Sequence, residues 1–236
     1  MLGPPKRSSR SELLDLPHPP PEDLRESLRD LESVNLRWGG LRPVLARLRR
    51  RLRDWPRGRT LRALDVGTGG ADLPRALASL CRRLGIPARI VALDRSSEVL
   101  SYARDQIEKD STSLVRGDAL TLPFLPGSFD FVFCTLLLHH IMPADAAGFL
   151  ASLSPLARVE VIVSDLRRGR WEYWCTRVFS RTLLRGRMSF HDAPLSVLRA
   201  LTPSEALELI RAAGWTRGRV EKVFPLRILL MDRGAP

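Results

Sequence analysis

Leu61 to Val66 is an apolar run of strand length that passes directly into Gly67-Thr68-Gly69-Gly70-Ala71-Asp72, and an amphipathic stretch from Leu73 to Leu84 follows. Three glycines in four residues let the backbone turn tightly and approach a ligand that any Cβ would hold off. A buried strand, a glycine turn and a helix make the first half of a βαβ unit, which implies a parallel sheet covered by helices on both faces. Ligands bind such sheets at the carboxyl ends of the strands, where this turn lies.

The same rhythm continues downstream. Arg89 to Leu93 reads as a second strand, with a helix through Val99 and Tyr102 to about Glu108. Ser113 to Arg116 reads as a third strand, Phe129 to Thr135 as a fourth, and Val159 to Ser164 as a fifth, with a helix over Ala144 to Leu153. Residues 166–200 break the pattern with arginines and aromatics (Trp171, Tyr173, Trp174, Phe179, Phe190) and read as an inserted helical segment that covers the pocket. Thr202-Pro203-Ser204-Glu205 is a helix start, with Thr202 as cap and Pro203 at the first position. Two strands near Arg219 to Val223 and Ile228 to Met231 then close the sheet as an antiparallel edge hairpin. The expected fold is α/β: a Rossmann-like, mostly parallel seven-stranded sheet with N-terminal helices. Residues 1–21 carry the proline cluster Pro17, Pro19, Pro20 and Pro21 and read as a flexible tail. Residues 22–60 form a helical preamble with Leu24, Leu28 and Leu31 on one face, and residues 61–236 form the sheet domain.

Composition excludes several classes. No run reaches the about 18 apolar residues of a membrane span, and MLGPPKRSSR lacks the apolar core of a secretory signal. Cys81, Cys134 and Cys175 are too few and too scattered for a disulfide framework or a structural zinc site, which suits a reducing cytoplasm. The net charge of +12 is almost all arginine, since lysine stands only at 6, 109 and 222. The run RLRRRLRDWPRGR from Arg47 to Arg59 would attract phosphates, or it would line solvated helix faces.

The glycine turn is neither of the common nucleotide loops. It has no G-x-x-x-x-G-K-[ST], and a G-x-G-x-x-G begun at Gly67 would need glycine where Asp72 stands. An anionic turn suits a ligand bearing an ammonium or sulfonium group. Asp94 ends the second strand, where a carboxylate accepts ribose hydroxyls, and Asp118 follows the third, placed to accept from an exocyclic amine.

Asp65-x-Gly67-x-Gly69, Asp94 and Asp118-Ala119 together resemble the class I S-adenosylmethionine-dependent methyltransferases, over residues 61–165. The resemblance implies that Asp65, Gly67, Thr68 and Gly69 hold the methionine end of S-adenosylmethionine. It also implies that Asp94 with Arg95 holds the ribose, and Asp118, Ala119 and Cys134 complete the cofactor site. The motif's usual third glycine is here Ala71, small enough for binding to survive. Leu122-Pro123-Phe124, Gly127-Ser128-Phe129-Asp130 and Leu138-His139-His140 resemble the small-molecule branch related to ubiquinone and menaquinone biosynthesis.

Methyl transfer needs alignment of the acceptor and exclusion of water, and a hydroxyl acceptor benefits from a base. The candidates are His140, beside His139 after the fourth strand, and His191, beside Asp192 in the inserted segment. The acceptor implied is small and aromatic or quinol-like, methylated on oxygen in preference to carbon. An RNA acceptor is the reading favoured by charge, against which Cys134-Thr135-Leu136-Leu137 stands where base-amine enzymes carry [DN]-P-P-[YF]. A non-catalytic cofactor-binding scaffold is the third reading.

Overall fold

A computed structural model describes residues 3–16, 19–108 and 110–234. Among these, seven strands form one sheet: β1 (Leu61–Val66), β2 (Ala88–Asp94), β3 (Thr112–Arg116), β4 (Phe129–Thr135), β5 (Ala157–Leu166), β6 (Arg219–Val223) and β7 (Arg227–Arg233). Their order is β3-β2-β1-β4-β5-β7-β6. The first five run parallel, and β7 pairs antiparallel with both β5 and β6. The order reverses between β1 and its neighbours β2 and β4, which places a crevice over the glycine turn.

The core explains why β4 reads as a continuous apolar run. Phe131 and Phe133 face one cluster, built with Leu77, Leu80 and Cys81 of α3 (Asp72–Leu84) and Val44 and Leu48 of α2 (Arg42–Arg51). Val132 and Cys134 face the other, with Phe149 and Leu150 of α5 (Ala146–Leu153) and Ile210 of α8 (Pro203–Ala212). Both faces of the strand are covered, so both sets of side chains must be apolar. The edge strand β6 is instead mostly exposed and charged, with Arg219, Glu221 and Lys222, which discourages pairing with another chain.

Cap chemistry sets the helix starts. Thr202 accepts from the Glu205 amide while Glu205 reaches back to the Thr202 amide, a reciprocal cap for α8. Ser96 accepts from the Val99 amide to open α4 (Ser97–Arg104), which ends four residues short of the expected Glu108. The segment 166–200 folds as two helices packed on each other, α6 (Arg170–Leu183) and α7 (Arg187–Arg199). Trp171 and Trp174 of α6 are exposed rather than packed beneath it, and Phe179 meets Trp38 edge-on at 4.6 Å.

The N-terminal segment departs from the flexible tail expected of it. Residues 3–16 lie as a strap along α7. The amides of Leu13 and Leu14 donate to the two oxygens of Asp192 at 2.8 and 3.0 Å, and that of Ser8 donates to the Leu198 carbonyl. Arg168 donates to the Pro5 carbonyl, and Arg7 to that of Arg199. An extended segment with few internal hydrogen bonds has its backbone groups satisfied by the body instead. Pro17 and His18 lie outside the described residues; α1 (Pro21–Glu32) follows and a π-helical turn, Ser33–Arg37, ends the preamble's first helix.

Candidate functional site

The carboxyl ends of β1 to β5 gather the site. At the turn after β1, Gly67 has φ +71°, and a Cβ there would lie 2.8 Å from Leu137 Cδ2. Only glycine permits both the left-handed backbone and that approach. A Cβ on Gly69 would meet nothing within 4 Å, so the turn opens there onto free space. Ala71, in the place of the third glycine, also takes a left-handed conformation, with φ 60°. That costs a non-glycine residue about 1–2 kcal/mol, so the substitution survives as local strain.

Asp65 is fully enclosed. Its Oδ2 accepts from Thr68 Oγ1 at 2.7 Å, whereas Oδ1 has no hydrogen-bond partner in the protein. Burial, opposed by Thr68 and reinforced by the nearby charges of Asp72 and Asp94, pushes this carboxyl up to about 7. A buried acceptor without a donor is costly, and the ammonium of a bound amino acid moiety is the kind of group that relieves it. Asp94 closes the turn from the next strand: Oδ2 accepts from the Gly69 amide at 3.0 Å and Oδ1 from the Ser96 amide at 3.1 Å. Each oxygen retains a second lone pair for a ribose hydroxyl. Arg95 is exposed beside it, and its carbonyl accepts from Arg116. Asp118 is exposed with Oδ1 held by the Leu120 amide at 2.9 Å, and Ala119 packs on the core below. The unpartnered Asp65 Oδ1 and the remaining acceptor capacity of Asp94 suit the ammonium and the ribose hydroxyls of S-adenosylmethionine.

Two expectations change. Cys134 is in register with Val66 at the end of β4, but its side chain is wholly inside the core. Burial and the charges of Asp165 and Asp65 raise its thiol well above the ordinary range, so it packs as a neutral group and offers a ligand at most its backbone. Asp72 does not face the ligand side of the turn. Its oxygens take Asn35 Nδ2 and Arg75 Nη2, both at 2.9 Å, and Asn35 in turn accepts from buried Arg227. Asp72 thus ties the preamble to the sheet.

Beyond the turn, Leu137 leads into Leu138–His140, a short 3₁₀ turn after β4. His139 is buried with Nδ1 2.7 Å from Asp165 Oδ1 at the end of β5, and its amide donates to Oδ2. His140 Nδ1 lies 2.7 Å from Asp15 Oδ1, a residue of the strap. The rings are 4.2 Å apart. Burial acts to raise Asp15 and Asp165, but the paired histidines outweigh it, with Arg199 added for Asp15 and two backbone amides for Asp165; both carboxyls end below the usual range. His191 does meet its neighbour, with Nδ1 2.8 Å from Asp192 Oδ1, on the helix that holds the strap.

Glu12, Asp15 and Asp165 were not anticipated as site residues. The alternation Glu12-Leu13-Leu14-Asp15-Leu16 is too short to distinguish a docked turn from a polar tail. Glu12 is nonetheless buried, and burial, against the pull of His140, raises its carboxyl to about 7. Of the buried side-chain atoms without partners among the described residues, Asp65 Oδ1, Thr135 Oγ1, Ser164 Oγ and Arg227 Nη1 all sit at this end of the sheet. A cavity of about 300 Å³ lies between α5 and α8, lined by Leu138, Ala146, Leu201 and Glu208, apart from the glycine turn.

Comparison with known proteins agrees with this geometry. Residues 64–160 match the family description "Methyltransferase domain". The chain is 28% identical to a demethylmenaquinone methyltransferase of Roseiflexus sp. (strain RS-1), over 66% of this chain and 68% of that protein. It is 32% identical to a ubiquinone biosynthesis O-methyltransferase of Burkholderia multivorans, over 53% of this chain and 48% of that one. The fold matches a solved S-adenosylmethionine-dependent methyltransferase of Aquifex aeolicus with a TM-score of 0.51, at 18% identity over 74% and 82% of the two chains. It also matches human N-acetylserotonin methyltransferase in complex with S-adenosylmethionine, with a TM-score of 0.52, at 18% identity over 74% and 48%. The glycine turn, flanked by acids at three successive strand ends, lies within the matched methyltransferase domain of residues 64–160, and in sheet and sequence the chain is similar to the small-molecule branch of the class I S-adenosylmethionine-dependent methyltransferases.

Proposed function

We propose that the chain methylates a hydroxyl oxygen of a small aromatic or quinol-like acceptor, held over the ends of β4 and β5. The observation that carries this reading is the pair of carboxylate–imidazole contacts, Asp15–His140 and Asp165–His139, one step from the turn through Leu137. An ionised carboxylate only accepts, so Nδ1 of each ring carries the proton and Nε2 presents a lone pair. That is the state a general base needs, and His140, the less buried of the two, is the base assigned here. His191, with Asp192 behind it, is the second candidate and stands on the helix that covers this side.

S-adenosylmethionine supplies an electrophilic methyl group on a sulfonium. The protein's own part is to hold Asp65, Asp94 and the Gly67 turn in place, to bring the acceptor in line, and to take its proton at His140 Nε2. Excluding water and fixing the approach are worth up to about 7–11 kcal/mol. The relatives named for menaquinone and ubiquinone favour a quinol-like acceptor; the ubiquinone relative's name specifies oxygen and the demethylmenaquinone relative's names no atom, so carbon methylation is the second reading. Against RNA, Arg47 and Arg51 of the basic run both close on buried Glu160, and Arg59 on Asp130.

The test is incubation with methyl-labelled S-adenosylmethionine and a panel of phenols, catechols and hydroquinones, with RNA in parallel. Label on a phenolic oxygen, lost by roughly 10²–10⁴-fold in His140→Ala, supports the reading. Label on carbon corrects the atom, and label only in RNA refutes the acceptor class.

A further inference from the structure

Glu12 is the third group facing His139 and His140, and nothing above uses it. Its carboxylate is 3% exposed, and Oε1 has no hydrogen-bond partner. Oε1 stands 3.6 Å from His139 Nε2 and Oε2 stands 3.7 Å from His140 Nε2. One ligating atom from each of the three residues lies within 4.8 Å of the others. A carboxylate and two imidazole lone pairs are all acceptors, and buried acceptors that face one another are unfavourable unless a cation or protons lie between them. The separations are too long for direct hydrogen bonds. They suit donors of one ion, because atoms each about 2.0–2.2 Å from a common metal stand some 3–4 Å apart.

The far side of each ring supports the same conclusion. His139 is backed by Asp165 and His140 by Asp15, each through Nδ1, which is how ligating histidines are oriented and their tautomer fixed. Arg199 stands 3.4 Å from Glu12 Oε1, but its hydrogen bond, at 2.5 Å, goes to Asp15.

We infer that Glu12, His139 and His140 form a site for one divalent transition-metal ion, complete only when the N-terminal strap is docked. Two imidazoles and one carboxylate suit a zinc-like ion better than magnesium or calcium, which prefer all-oxygen sites. Three protein donors leave coordination positions open, as in catalytic rather than structural sites. With the ion bound, His140 Nε2 is a ligand and no longer the base, and a hydroxyl acceptor at an open position would instead lose its proton to solvent, more readily than when free. That last role rests on the acceptor proposed above; the metal site itself does not.

The experiment is calorimetric titration of the full chain, stripped with chelator and desalted, with Zn²⁺ and in parallel Mn²⁺, with S-adenosylhomocysteine binding as the folding control. The expected result is one Zn²⁺ per chain. Asp15→Asn, which removes the support behind His140, weakens binding by roughly 10- to 100-fold, and Glu12→Gln and His140→Ala weaken it further, while S-adenosylhomocysteine still binds. If His140→Ala fails the folding control, the near-isosteric Glu12→Gln decides. Absence of stoichiometric zinc binding overturns the site and leaves Glu12 to Arg199 and a shared proton. Binding undiminished in Glu12→Gln also overturns it and places the ion elsewhere. Zinc binding that follows these variants, in a chain that methylates no phenol or quinol, upholds the site and removes the acceptor.

Discussion

Asp65→Asn should make the cofactor-free protein more stable at pH 8 while abolishing cofactor binding. The Asp65 carboxyl is wholly buried, its Oδ1 has no donor, and its titration lies at about 7 instead of 3.8. Moving the ionisation by that much disfavours the folded, charged state by about 4 kcal/mol. The folded protein binds the extra proton, so the penalty grows as pH rises from about 4 to about 7 and is complete above that. Asparagine stays neutral and its oxygen keeps the Thr68 hydrogen bond, but its amide lacks an acceptor and forfeits about 1–3 kcal/mol. The net gain is about 2 kcal/mol at pH 8, which for a chain of this size raises Tm by roughly 4–8 °C. Differential scanning fluorimetry of both proteins from pH 5 to 8 checks it, with and without S-adenosylhomocysteine. The Tm difference should widen with pH and level off near 7, and the ligand should stabilise only the wild type. A difference that is absent, or the same at every pH, would refute the argument that an ionised Asp65 is penalised until a ligand meets it.

Gly67→Ala puts a Cβ against Leu137 at a positive φ, so it should cost roughly 2–3 kcal/mol by urea denaturation and weaken S-adenosylhomocysteine binding. Ala71→Gly relieves the left-handed strain but adds backbone entropy to the unfolded chain; its midpoint should shift by less than about 1 kcal/mol, with cofactor affinity unchanged. Glu160→Gln leaves Arg47 and Arg51 without their shared carboxylate, whose hydrogen bonds with them overcome burial and hold its pKa below the ordinary value. It should cost about 2–3 kcal/mol at pH 7, and the difference should shrink as pH falls through the depressed folded pKa, where the wild-type carboxylate is itself protonated. Removing residues 1–16 strips Asp192 of the Leu13 and Leu14 amides and His140 of Asp15, so Tm and turnover should both fall while S-adenosylhomocysteine binding persists.

The cofactor half of the site was legible in the sequence because its parts are local. Gly67 and Gly69 report a backbone that must turn under a ligand, and Asp65, Asp94 and Asp118 stand at fixed offsets from the ends of apolar strands. The apolar runs that define those strands are equally local, and β1, β4 and β6 begin and end where the pattern placed them, whereas the order of the sheet came from the tertiary structure. Side-chain direction was less legible. Cys134 belongs to a strand buried on both faces, and whether an end residue points to the ligand or the core depends on register with its neighbours. The acceptor side was legible only in part. His140 and His191 stand out as residue types, yet their partners come from 125 and one residues away, respectively. Glu12 and Asp15 look in the sequence like solvated charges ahead of a proline cluster, because no local pattern records that α7 offers Asp192 to the strap's amides. Apolar periodicity and turn chemistry are properties of neighbouring residues, so the sequence carries them directly. The joining of Glu12, Asp15, His139, His140 and Asp165 depends on long-range docking satisfying buried polar groups, and only the tertiary structure decides that.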